Sequence, residues 1–103
     1  MAESLLKVGD TVTPKGPDRS YLRYRPERVK GDADKYAVGA IDAGKKVKLI
    51  HGPVAIGQDI WWVAMTDEAE SVRQVGKAHV LLGKQVAAWV NELYGGVRNL
   101  VKA

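Results

Sequence analysis

The most apolar run in the chain is Ile60-Trp61-Trp62-Val63-Ala64-Met65, bounded by Gly57-Gln58-Asp59 and by Thr66-Asp67-Glu68. A run this short between polar and turn-forming flanks predicts a strand rather than a helix. Alternation along a strand puts Trp61, Val63 and Met65 on one side and Ile60, Trp62 and Ala64 on the other. A single small core takes only one of these rows. The reading assigns the core to Trp61, which shares its side with Val63 and Met65. Trp62 is then left under a loop, under a helix or in a binding surface.

The flanking pattern predicts further short strands. Val8 to Pro14 reads as a first strand that stops at Pro14-Lys15-Gly16-Pro17. Tyr21-Leu22-Arg23-Tyr24-Arg25-Pro26 reads as a second, with Leu22 and Tyr24 on one face and Arg23 and Arg25 on the other; Pro26 ends it or places it at an edge. Glu27 to Lys35 is polar and reads as a mobile loop. Tyr36 to Ile41 and Lys45 to Ile50 flank Asp42-Ala43-Gly44 as the arms of a β-hairpin, the second arm broken at His51-Gly52-Pro53. Val72 and Val75 suggest another short strand, and His79 to Gly83 a closing one.

The period then changes. From Lys84 onward Val86, Trp89, Val90, Leu93, Val97, Leu100 and Val101 recur at three- and four-residue intervals, which predicts an amphipathic helix over about 84–94, interrupted at Gly95-Gly96. The expected fold is mainly β: a small barrel of five to seven short strands over residues 1–82, followed by a C-terminal amphipathic α-helix in an extension over 83–103. That extension packs on its own barrel or on a partner, with Trp89, Val90, Leu93 and Val97 as its interface.

Composition narrows the chemistry. At 103 residues the chain is about one domain long and large enough to bury a core without crosslinks. The absence of cysteine removes disulfides, thiolate metal sites and cysteine nucleophiles. The first residues lack the basic and apolar regions of a secretion signal, and no apolar run approaches the ~20 residues of a membrane span. A cytoplasmic or phage-associated protein is the expectation. The net charge of +4 matters less than its placement. Lys15, Arg19, Arg23, Arg25, Arg28 and Lys30 crowd one segment against Asp18 and Glu27, interleaved with Tyr21 and Tyr24. Such a segment can hold phosphates and stack on bases, so nucleic acid is an alternative partner.

Three stretches together resemble the bacterial Src-homology-3-like (SH3-like, SH3b) domains. Leu22-Arg23-Tyr24-Arg25-Pro26 stands where that family tends to have Leu-Asn-Val-Arg followed by Ser, Gly or Pro. Val38-Gly39-Ala40-Ile41-x-x-Gly44-x-x-Val47 is similar to its Ile-Gly-x-Leu-x-x-Gly-x-x-Val hairpin, and Trp61-Trp62-x-x-Met65 to its Trp-x-Lys-Val strand. The resemblance spans about residues 8–82 and leaves the tail unexplained. It implies a small β-barrel that binds peptides, often in cell-wall crosslinks and often beside a catalytic domain. Arg23 replaces the family's Asn, and Gly76-Lys77 its closing Gly-Trp, so the family's ligand site does not transfer intact.

Other motifs fail on inspection. Gly39 to Lys46 approaches a phosphate-binding loop, but Lys46 stands where Ser or Thr would hold magnesium, and Val47 to Ile50 reads as a strand rather than a helix. Asp32-x-Asp34 begins like a calcium loop without its later ligands. His51 and His79 have no cysteine beside them, and Ser20 and Ser71 sit in no nucleophile context. The expectation is a protein with no catalytic residue, metal or cofactor. The aromatic set Trp62, Tyr21, Tyr24 and Tyr36, with Arg23 and Arg25, forms the expected ligand site, since rings bury large areas with few rotors and guanidinium groups clamp oxyanions. Function is expected to be recognition of a peptide or peptidoglycan-like ligand. A structural role inside a larger complex or phage particle, through barrel and helix, is the alternative, and nucleic-acid binding over residues 19–30 the second.

Overall fold

The computed structural model describes residues 4–17, 19–32, 35–66 and 86–103, apart from the side chain of Val86. Among them lie eight strands and no helix: β1 (Thr11–Pro14), β2 (Ser20–Arg23), β3 (Ala37–Ile41), β4 (Val47–Ile56), β5 (Asp59–Thr66), β6 (Val86–Tyr94), β7 (Val97–Arg98) and β8 (Leu100–Lys102). All pair antiparallel in one sheet of order β3-β2-β6-β5-β4-β1-β8, with β7 on β6. Because β7 pairs with β6 and β8 with β1, the segment from Val97 to Lys102 draws the ends of the β6-β5-β4-β1 path toward each other. The sheet curls into a half-barrel around Val12, Leu22, Ile41, Val47, Leu49, Ile60, Trp62, Ala64, Val90 and Leu100.

The expected tail helix is a strand. Residues 86–94 run alongside β5 in register, from Thr66 opposite Val86 to Ile60 opposite Leu93. The three- and four-residue spacing that suggested a helix conceals a period of two, in which Ala88 and Val90 face the core beside Ala64 and Trp62. Gly95 and Gly96 do not interrupt a helix. They are the two central residues of a hairpin closing Tyr94 onto Val97, with φ of 59° and 84°. Two consecutive positive φ values are what a tight type I′ hairpin demands and what a Gly-Gly pair supplies. Long-range pairing with β5 therefore overrides the local helical pattern.

Two further expectations are corrected. β3 and β4 do not form a hairpin: β3 pairs with β2, and β4 pairs with β5 and β1. The hairpin is β4–β5, turning at Gly57-Gln58 with Ile56 opposite Asp59. β4 also continues through His51-Gly52-Pro53, which it absorbs as shifts of register between Leu49 and Val54. Gly52 is required there. Its φ is 129°, and a Cβ would lie 3.0 Å from both the Trp61 carbonyl and the Trp62 ring. The strands read at 72–75 and 79–82, and the domain boundary at 82/83, lie outside the described residues.

The alternation expected in β5 is present, with its sides exchanged. Ile60, Trp62 and Ala64 join the core, while Trp61, Val63 and Met65 face outward. Trp61 is nonetheless buried, at 1% exposure.

Candidate functional site

The inner face of the β5–β6 pair is closed around a carboxylate. β6 carries one extra residue between Asn91, opposite Trp61, and Leu93, opposite Ile60, and that residue is Glu92. Its fully buried carboxylate accepts hydrogen bonds from the Trp62 indole N–H (2.8 Å), the Ser4 hydroxyl (2.6 Å), the Leu5 amide (2.7 Å) and the Arg98 guanidinium. Desolvation favours the neutral acid, but these four donors outweigh it and hold the Glu92 pKa below the ordinary carboxylate range. Each carboxylate oxygen accepts two of these bonds, so the cluster fastens the N-terminal segment and β7 to the core.

The outer face is covered by the connection between β2 and β3. Arg28 reaches Asp59 through two hydrogen bonds, at 2.8 and 3.2 Å, and lies 3.9 Å above the Tyr94 ring. Asp59 also accepts from the Gly95 amide at 2.7 Å. The hydrogen bonding of Arg28 to the Asp59 carboxylate is the main reason that the Arg28 pKa is raised. This clamp sets Pro26, Glu27, Arg28 and Lys30 around a cleft with Ile56, Asp59 and Trp61. The Trp61 indole N–H is buried and has no hydrogen-bond acceptor among the described residues.

A row of tyrosines and arginines runs along β2, with Arg19, Tyr24 and Arg25 exposed at its ends. Alternation places Arg19, Tyr21 and Arg23 in one row. Arg19 donates to the Tyr21 hydroxyl at 3.0 Å, and the two guanidinium carbons stand 5.2 and 5.4 Å from the Tyr21 ring. Arg23 is buried, at 2% exposure, and donates to the Lys35 carbonyl at 2.6 Å. Just beyond the strand the Tyr24 amide donates to the Tyr36 carbonyl at 3.0 Å, and the two rings meet edge to face at 5.4 Å. Tyr36 also carries Arg25 at 4.8 Å and Lys35 at 5.6 Å over its ring. Its φ of 67° lies in the left-handed region, which costs a residue with a Cβ on the order of 1 kcal/mol. Tyr24 is 62% exposed.

Of the expected ligand residues, Tyr21, Tyr24, Tyr36, Arg23 and Arg25 come together around the end of β2. Trp62 does not, because it is fully buried in the core and bonded to Glu92. Arg23 is a buried brace rather than a surface clamp. The expected helix interface is also dispersed: Val90 and Leu93 are core, Val97 is exposed, and half-buried Trp89 meets the His51 ring on the outer face at 6.1 Å.

No family model, curated protein or solved structure matches the chain. The site is therefore read from its own geometry. Sequence reasoning missed Glu92, Asp59 and Tyr94. A lone acid in an apolar strand was the available signal for Glu92, while the others are joined to the site by contacts between distant segments.

Proposed function

We propose that the protein is a non-enzymatic, SH3-like binding module that recognises a peptide or peptidoglycan-like ligand bearing carboxylates on the Tyr/Arg surface at the end of β2. The observation that carries this reading is Tyr36, held left-handed where its ring gathers Tyr24, Arg25 and Lys35. Local strain of this kind persists where surrounding contacts impose it, and it concentrates at binding sites. The Tyr21 and Tyr36 rings already carry the protein's own cations. The ring hydroxyls and the exposed Arg25 guanidinium, which also pairs with Glu27 at 3.1 Å, would read a ligand through hydrogen bonds, which suits carboxylates better than stacked bases.

Fluorescence anisotropy of a labelled decapeptide of alternating glycine and glutamate tests the reading against its lysine counterpart and a labelled oligothymidylate. The glutamate peptide is expected to bind and the lysine peptide not to bind. Tyr24→Ala with Arg25→Ala should weaken the glutamate peptide about tenfold, as for loss of a charge-assisted contact. Equal binding by the double variant, no binding of the glutamate peptide, or tighter and steeply salt-dependent binding of the oligothymidylate overturns it.

A further inference from the structure

β2 and β7 lie against the same edge of β6, and they part there. β2 meets β6 only at Arg23 opposite Trp89, while β7 meets it at Leu93 and Tyr94. Between these points Asn99 holds the edge, its backbone N–H donating to the Glu92 carbonyl at 2.8 Å and its side-chain amide to the Asn91 carbonyl at 3.2 Å. The gap is a cleft of about 180 Å³ lined by Arg19, Ser20, Tyr21, Arg23, Asn91, Tyr94 and Asn99.

The geometry points to this cleft as a subsite for the terminal carboxylate of an extended peptide. Arg19 and Arg23 are among its lining residues, and none of the described residues that line it is acidic. The hydroxyl of Ser20, a residue 1% exposed, has no hydrogen-bond partner among the described residues. Buried hydroxyls are ordinarily satisfied, and an oxyanion in the cleft would accept its proton. Asn91 and Asn99 each use one amide hydrogen, on the Leu93 and Asn91 carbonyls, and keep a second donor for a ligand oxygen. The volume is near the ~150 Å³ that encloses a benzene ring, so it takes one residue-sized group rather than a chain running through. Tyr21 and Arg23 belong both to this cleft and to the row leading to Tyr24 and Arg25. A peptide lying on that surface would place its end here, so the inference rests on the peptide reading.

The test is a titration of the full chain, observed through backbone amide NMR signals, with N-acetyl-Gly-Gly-Ala as the free acid, the same tripeptide as its amide, and inorganic phosphate. The acid should shift the amides of Ser20, Tyr21, Asn91 and Asn99 and bind at least tenfold more tightly than the amide. Arg19→Gln, at an exposed position that does not threaten the fold, should weaken the acid several-fold. Equal binding of acid and amide, an unchanged Arg19→Gln variant, shifts confined to other surfaces, or phosphate binding as tightly as the acid overturns the proposal. The two readings fail separately. Loss of the acid preference with intact Tyr24- and Arg25-dependent binding removes only the subsite, whereas the reverse removes only the peptide surface.

Discussion

Trp61 and Trp62 are neighbours in one strand, bury their rings almost equally, and are held by different means. Trp62 sits in a core gathered from seven strands and gives its N–H to Glu92. Trp61 faces outward beside Pro26 to Lys30, a connection tied to the sheet through the Arg28–Asp59 pair and the Tyr94 ring. The inner tryptophan is part of the global fold. The outer one is buried by a local clamp whose Arg28 and Asp59 side chains keep 30% and 12% of their surface exposed. Equal burial therefore does not mean equal stability of burial. Among the described residues this face is covered by one connection, whose release would not require unfolding of the molecule, and the tyrosines and arginines lie beside it.

The largest effect that sharpens this contrast is expected at Glu92. Glu92→Gln leaves four donors facing one amide oxygen and an NH₂ group, and should cost about 3 kcal/mol in urea unfolding, as breaking a buried ion pair does. A cost below ~1 kcal/mol would mean that the inner cluster does not hold the fold. Gly52→Ala comes next. It forces a Cβ to 3.0 Å from the Trp62 ring at a φ of 129°, and a loss of about 2 kcal/mol is expected from the shifted melting temperature.

The paired tryptophan variants separate the two faces more finely. Trp62→Phe should cost about 1–2 kcal/mol more than Trp61→Phe, since the first strips a donor from a buried carboxylate and the second removes an N–H that has no acceptor among the described residues. Equal losses in matched urea titrations would erase the distinction. A smaller and pH-dependent effect follows from the lowered Glu92 pKa. The unfolded carboxyl titrates near 4.5 and the folded one lower. The Glu92 contribution is then fully present above about pH 4.5 and lost as the pH falls through the folded value. The stability gap between the native chain and Glu92→Gln should narrow below that pH, and a gap that widens there would contradict the assignment.

How much of this was legible in the sequence differs between the faces. The two-residue period of β5 was readable, but which row turned inward depended on how β1, β4, β6 and β8 assemble around it. β6 was misread as a helix because its apolar residues satisfy both periods, and only the pairing with β5 decides between them. Tyr21, Tyr24, Arg23 and Arg25 were legible as a group because they lie within five consecutive residues. The Arg28–Asp59 clamp and the Trp62–Glu92 bond join residues 31 and 30 positions apart, which no local pattern reports.

Hydrogen exchange of the indole N–H groups, resolved for Trp61 and Trp62 by NMR in the native chain and in Arg28→Ala, tests the contrast most directly. Local opening predicts that Trp61 exchanges faster than Trp62, and that Arg28→Ala speeds Trp61 several-fold more than it speeds Trp62, whose rate should follow global unfolding. Equal rates for the two indoles, moved equally by Arg28→Ala, would show that both faces open together and would contradict the account.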